Sequence, residues 1–320
     1  MSTTSKFSTA VATVASGSGA AGTALVSSGG RVALALGGGG ARGLAHIVAL
    51  EAFDELGIRP HLIAGTSIGA IFGAAYASGL SARHIRSHAE ELLAQRFDLI
   101  RQLFSARAEP VWKLLSFMPV RNALLDAPTL LEAVLPSGVA RTFEALQIPL
   151  RIVTCDFYAQ SEVVHSEGDL RTAVAGSMAL PVLFAPVLIG GRAHVDGGFV
   201  NPLPFDVVSE RGDITVAIDV SGGVRDAGGI DPGTPAQRIR PSATEILTSS
   251  SQILQRSIVR EKLKARQPDV LIEAPVDQFT VVDFHRWREI LQAAEPLKDE
   301  LKRHLDRVLS SETLPLLPSP

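Results

Sequence analysis

The chain is predicted to fold as a three-layer α/β/α structure with a mostly parallel central sheet. Three observations predict it. Apolar runs of strand length (32–36, 62–64, 150–155, 214–219) are continuous rather than alternating, as strands covered on both faces require. Stretches of helical periodicity lie between them. Glycine-rich junctions stand where strand passes into helix, the strand–helix alternation of a parallel sheet.

In chain order, residues 32–36 give the first strand and 41–56 the first helix. A second strand, 62–64, runs into a helix over 67–77, with Gly79 where a helix C-terminal glycine sits. A third helix is expected over 81–93. Residues 96–121 carry apolar residues at helical spacing, five basic residues, and breaks at Pro110 and Pro119. They read either as core-packing helices or as a mobile cap over an active site that also touches a lipid surface. Strands follow at 150–155, 162–165 and 214–219, with a short helix over 206–211 between the last two. Helices over 243–264 and 283–309 flank a weaker strand at 270–273. The expected organisation is a Ser/Ala/Gly-rich flexible tail over 1–30, a catalytic domain over 31–230, and a C-terminal helical extension over 231–320 packed on it.

Composition narrows the function. With 46% hydrophobic residues among 320, the chain can bury a large core. A net charge of −3 gives no reason to expect nucleic acid as a partner. Cys155 is the single cysteine, which excludes an intramolecular disulfide and argues against a cysteine metal site. Only Lys6 is basic among the first 30 residues, a poor fit to a secretory signal. The expected location is cytoplasmic, with peripheral contact at a membrane.

Two glycine motifs sit at the strand–helix junctions. Gly38, Gly40 and Gly43 spell G-x-G-x-x-G after the first strand, and Gly65, Ser67 and Gly69 spell G-x-S-x-G after the second. A dinucleotide site needs an acidic residue at the end of the second strand; that strand ends Ala64-Gly65-Thr66-Ser67. A P-loop needs Gly-Lys-Ser/Thr, and this run gives Ala41-Arg42-Gly43. Neither nucleotide reading keeps its defining partner. G-x-S-x-G between strand and helix is instead the setting of a nucleophile elbow, although Ser67 could also simply cap its helix. Consecutive glycines at the neighbouring junction can aim backbone N–H groups at one point, as an oxyanion requires.

A serine nucleophile needs a base. Of the downstream histidines (His84, His88, His165, His194, His285, His304), only His194 lies beside a glycine-rich turn. His84 and His88 stand four apart with no third metal ligand, as on a solvated helix face. Asp196-Gly197-Gly198 is an ordinary turn signal, and beside an elbow serine it is also a candidate base on a loop.

Gly38-Gly39-Gly40-Ala41-Arg42-Gly43, Gly65-Thr66-Ser67-Ile68-Gly69 and Asp196-Gly197-Gly198, with a Ser-x-Ala-x-Pro segment inside 175–187, together resemble the patatin-like phospholipases, most of all their bacterial, NTE-type members. The resemblance covers about 32–208. It implies the patatin fold and a lipid acyl hydrolase acting on acyl esters through an acyl-serine intermediate. It makes Ser67 the nucleophile and Asp196 the base of a Ser–Asp dyad, and gives the oxyanion to the amides of Gly38, Gly39 and Gly40. Arg42, Gly43, Gly65, Gly69, Gly197 and Gly198 support the motifs, Arg42 either fixing the loop or meeting a lipid phosphate. No cofactor, metal or nucleotide is implied. The chain departs from the family at Gly37, where members often carry Asp, and at His194, where they often carry an aromatic residue. Two alternatives stay open: a triad that includes a histidine, and a catalytically weak regulator or adaptor that keeps the fold.

Overall fold

The first strand, β1 (Val32–Leu36), is buried at every position, and its two faces feed different cores. Val32, Leu34 and Leu36 point into the larger apolar cluster, while Ala33 and Ala35 point into a smaller one. This is the period-two alternation of a strand between two helical layers. The computed structural model describes residues 31–95, 125–181, 183–222 and 243–311. The expected tail over 1–30 and the expected cap over 96–121 lie outside them.

β1 runs through a short 3-10 turn, Gly40–Leu44, into α1 (Ala45–Leu56). β2 (Leu62–Thr66) leads into α2 (Ile68–Ala77), and α3 (Ala82–Gln95) follows. α4 is Ala127–Val134, β3 Leu150–Asp156, β4 Ser161–His165 and α5 Leu170–Ser177. β5 (Val187–Ile189) and β6 (Arg192–Asp196) form a hairpin. The chain closes with α6 (Phe205–Val208), β7 (Ile214–Asp219), α7 (Ala243–Ala265), β8 (Val270–Glu273) and α8 (Trp287–Ser311). The first helix expected over 41–56 thus begins as a 3-10 turn, because the glycine loop must bend sharply before regular helix can start. The helix expected over 206–211 is the single turn of α6. Neither α4 nor α5 was predicted, nor was the β5–β6 pair.

The sheet order is β5-β6-β3-β2-β1-β7-β8, with β4 also paired to β3. β2, β1, β7 and β8 are parallel, as is β3 to β2. β4, β5 and β6 are antiparallel to their neighbours. The chain has the predicted three layers. Leu203, Phe205, Val208 and Val259, from α6, α7 and the loop before them, cover the alanine face. α1, α2, α3, α4, α5 and α8 cover the other. Residues 231–320, expected as a helical extension, also add the edge strand β8 to the sheet. Lys298 of α8 reaches Glu51 and Glu55 of α1 at 2.8 and 3.0 Å, fastening that helix to the first βα unit.

One detail of the sheet positions everything that follows. β4 holds one side of β3 from Ile152 to Asp156. The other side is shared: β2 pairs up to Val153 and β6 pairs from Thr154 onward. β6 therefore continues where β2 stops, so the last residue of β6 meets the first residue beyond β2.

The two glycine junctions touch because side chains are absent where they meet. A Cβ on Gly69 would lie 2.2 Å from the Leu36 carbonyl oxygen, and one on Gly43 would lie 2.2 Å from Ile68 Cγ2. Gly69→Ala is accordingly expected to destabilise the fold by about 3 kcal/mol. This would be read as a lower urea midpoint at unchanged m. Gly57→Ala, strained in φ at +66° but with no neighbour within 4 Å, is the control and should cost about 1 kcal/mol.

Candidate active site

The sharp turn between β2 and α2 forces Ser67 into φ 56°, ψ −121°, a strained conformation for a residue with a side chain. The strain is held from two directions. Ser67 N–H donates to Ser177 Oγ at 2.8 Å, and Ser177 Oγ–H donates to the Val153 carbonyl at 2.6 Å. Ser67 does not cap α2 with its side chain. Its hydroxyl instead donates to Asp196 Oδ2 at 2.7 Å.

Asp196 ends β6, opposite Thr154. It is 4% exposed, and its other oxygen, Oδ1, accepts from Gly198 N–H at 2.7 Å. Burial pushes its carboxyl from 3.8 up to about 6, against the opposing pull of the bonds from Ser67 and Gly198. Gly197 is fixed by close approach, since a Cβ there would lie 2.2 Å from the Val153 carbonyl oxygen.

The glycine loop packs directly on the elbow. A Cβ built on Gly38 would contact Ser67 Cβ at 3.4 Å. Its amides divide into two groups. Gly37 N–H donates to Ile218 O at 3.1 Å, Gly38 N–H to Pro202 O at 2.8 Å, and Ala41 N–H to Val281 O at 2.9 Å. Gly38, expected among the oxyanion donors, therefore has its N–H committed to holding the loop. Among the described residues no acceptor takes the N–H groups of Gly39 and Gly40, which line the same cavity as Ser67 and Asp196. Gly40 sits at φ +56° against the Val281 carbonyl, where no side chain fits.

Arg42 is fully buried and donates from Nε to the Gly39 carbonyl at 3.4 Å, so it supports the loop from within and does not face a lipid phosphate. Gly65 packs against α2, where a Cβ would lie 2.6 Å from the Gly69 carbonyl oxygen. His46, which the sequence did not single out, donates from Nε2 to the Gly37 carbonyl at 2.8 Å. Burial lowers its pKa to about 4, so it is neutral at pH 7.

The histidines stand apart from the pair. His194 is buried with Nδ1 2.8 Å from Thr154 Oγ1, and that hydroxyl is also 2.8 Å from His165 Nε2. Among the described residues, no histidine hydrogen-bonds Ser67 or Asp196. His88 donates from Nε2 to the Val134 carbonyl at 2.9 Å. One group among the described residues could hold an ion: His61, Glu210 and Asp213, at the opposite edge of the sheet. Arg31 pairs with Asp213 there at 3.0 Å, already neutralising it. No helix among the described residues is long and apolar enough to cross a membrane.

Beneath the loops lies a junction the sequence did not reveal. Thr66 Oγ1 donates to the Asn201 carbonyl at 2.8 Å, and Asn201 N–H donates to the Gly197 carbonyl at 2.8 Å. Asn201 Nδ2 reaches Asp206 at 3.0 Å and Glu162 at 3.1 Å, while Lys262 of α7 donates to its Oδ1. From Ser67 a cavity of about 400 Å³ opens, walled almost entirely by apolar side chains.

Comparison with known proteins places the chain among relatives of one family. The profile of the family described as "Patatin-like phospholipase" matches residues 34–209. An uncharacterized NTE family protein of Mycobacterium tuberculosis is 33% identical over 239 residues, covering 73% of this chain and 60% of the relative. Human patatin-like phospholipase domain-containing protein 6 is 30% identical over 285 residues, covering 83% of this chain and 20% of the relative. The chain thus spans only part of the curated relatives it matches. Among solved structures, VipD from Legionella pneumophila superposes with a TM-score of 0.44 at 16% identity, covering 86% of this chain and 67% of that one.

The buried carboxyl gives a test with a definite sign. A carboxyl whose pKa is raised in the fold contributes stability below its unfolded value of 3.8 that is lost as pH rises through about 6. The full loss is about 3 kcal/mol. Asp196→Asn removes the charge in the same volume. It should therefore be the more stable protein at pH about 8, by roughly 2–3 kcal/mol, and lose that advantage near pH 4. Urea unfolding of both proteins at the two pH values measures it.

Proposed function

The chain belongs to the patatin-like phospholipase family, and from that membership and the Ser67–Asp196 pair we propose that it is a lipid acyl hydrolase using these two residues as a dyad. The observation that carries the reading is the 2.7 Å bond from the Ser67 hydroxyl to a carboxylate held near pKa 6. An ordinary aspartate near 3.9 is a weak base for a serine. One raised toward neutrality is far better matched to accepting a proton and returning it.

In the proposed cycle the substrate's ester carbonyl lies over Ser67 with its oxygen toward the amides of Gly39 and Gly40. Asp196 Oδ2 takes the hydroxyl proton as Ser67 Oγ attacks the carbonyl carbon. The electron pair moves to the carbonyl oxygen, where the two amides hold the negative charge. The intermediate collapses, the alcohol leaves with the proton from Asp196, and an acyl-Ser67 ester remains. Water then attacks that ester, giving its proton to Asp196. The second intermediate expels Ser67 Oγ, which recovers the proton, and the carboxylic acid departs. Every proton taken by Asp196 is returned, so the cycle needs no metal or cofactor. The apolar cavity beside Ser67 supports an acyl ester as substrate, met at a lipid surface.

A fluorophosphonate probe should label the wild-type protein, and Ser67→Ala should abolish the labelling. Wild type that takes no label would overturn the proposal in favour of a regulator that keeps the fold. Asp196→Asn should lower kcat at least about 10³-fold, since removing the base of a hydrolytic serine costs on that order. His194→Ala should leave most turnover in place; its collapse would restore the histidine triad. For the wild type, kcat/KM on a soluble ester should fall on the acid side with a single ionisation near pH 6, as Asp196 becomes protonated.

A further inference from the structure

The cavity that starts at Ser67 has an open and a closed end. At the open end, Phe199 is partly exposed and Leu254 of α7 is 58% exposed. At the other end, Ala75 and Ile85 are 1% and 2% exposed, and Pro136 is buried with them. The path between follows α2, whose residues Ile68, Ile71, Phe72 and Ala75 line it one turn after another. From Ile68 to Ala75 the helix rises about 10 Å, a span matched by roughly eight methylenes of an extended chain. α3 and α4 form the opposite wall, locked together by the His88 bond to the Val134 carbonyl at 2.9 Å.

We propose that this blind cavity receives the acyl chain of the substrate, and that Ala75 and Ile85 at its closed end set the longest chain that fits. The inference rests on the reading of Ser67 as the nucleophile and goes beyond it by assigning a specificity-determining position. The substrate class is an ester of a single unbranched, medium-length acyl chain whose carbonyl lies at Ser67 and whose methyl end approaches Ala75. Ala75 is a small residue on the cavity wall, where added volume would narrow the path of the chain. The small residue leaves room for the last methylenes, and a larger one would occupy it. Ile85 lines the same cavity from α3, so trimming Ile85 should extend the cavity as enlarging Ala75 shortens it.

The test uses the full chain and p-nitrophenyl esters graded in acyl length from acetate to palmitate. Wild type should show an optimum among the intermediate lengths. Ala75→Leu should move that optimum to shorter chains, with kcat/KM for longer esters falling by roughly fourfold for each methylene excluded. Ala75→Val should move it less. Ile85→Ala should move it the other way, so the inference stays testable should the larger residue at 75 prevent folding. An unchanged order of preference in Ile85→Ala and in whichever Ala75 variant folds would overturn the inference. Labelling of wild type by a fluorophosphonate separates the two readings. A labelled protein with an unmoved optimum refutes only the acyl-chain assignment, whereas an unlabelled one refutes the serine nucleophile beneath it.

Discussion

Three loops from distant parts of the sequence meet on the main chain of Asn201 and Pro202. The glycine loop donates to Pro202 O through Gly38, the elbow donates to Asn201 O through Thr66, and the Asp196 loop accepts from Asn201 N–H through Gly197. Chemistry between Ser67 and Asp196 requires geometry held to a fraction of an ångström, yet each loop alone is a glycine-rich turn with little to stiffen it. The shared anchor resolves that conflict. Lys262 secures the anchor in turn by donating to Asn201 Oδ1 and to the Leu203 carbonyl, so the long helix α7 is part of the frame and not an ornament on it. Val281 does the same for the glycine loop, accepting from Ala41 and closing over Gly40.

Two aspartates on neighbouring strands show how placement alone divides chemistry from structure. Asp156 ends β3, pairs with Arg192 and accepts the amides of Tyr158 and Ala159. Those partners hold its carboxyl at about 2. Asp196 ends β6 with one hydroxyl and one amide as partners and, among the described residues, no cation in contact, and burial carries it up to about 6. The same side chain is a fixed anion in one place and, in the proposed reaction, a proton acceptor in the other. The fold tolerates the second because two apolar cores flank the sheet and supply stability that a buried carboxylate removes.

The sequence made the first two βα units legible because their signals are redundant. β1 and β2 each combine a short apolar run with a glycine turn at the strand–helix junction. Ser67 and Asp196 were readable as a pair only because the patatin-like motifs occur together and in order; neither Gly-x-Ser-x-Gly nor Asp-Gly would have sufficed. The β5–β6 pair escaped because its strands are three and five residues long, and β6 mixes Arg192 and His194 with apolar residues. α4 and α5 had audible starts in Asp126-Ala127-Pro128-Thr129 and Asp169-Leu170-Arg171-Thr172, where each Asp caps the amide three residues on. Eight-residue helices carry too few turns for periodicity to speak. What no local pattern could supply was the fate of particular hydrogen bonds. Gly38 differs from Gly39 only in that Pro202, far along the chain, takes its N–H. Ser177 begins the Ser-x-Ala-x-Pro segment, but its two bonds join strands and helices that only the fold brings together.

That distribution of hydrogen bonds also decides which anion the glycine loop suits. A phosphate cradle directs a series of amides and a cation at one ligand. In this loop the amides of Gly37, Gly38 and Ala41 are spent on the protein's own carbonyls, and Arg42 turns inward to the Gly39 carbonyl and is fully buried. Among the described residues, two neighbouring amides, of Gly39 and Gly40, remain beside Ser67. Two donors match the lone pairs of a single oxygen, and they cannot enclose the several oxygens of a phosphate. The loop shares its Gly-x-Gly-x-x-Gly spelling with nucleotide sites because both need close backbone approach at a strand–helix junction. The difference lies in how many N–H groups the rest of the fold leaves free. Here the commitments made to Ile218, Pro202 and Val281 leave, among the described residues, the two amides that the proposed oxyanion would engage.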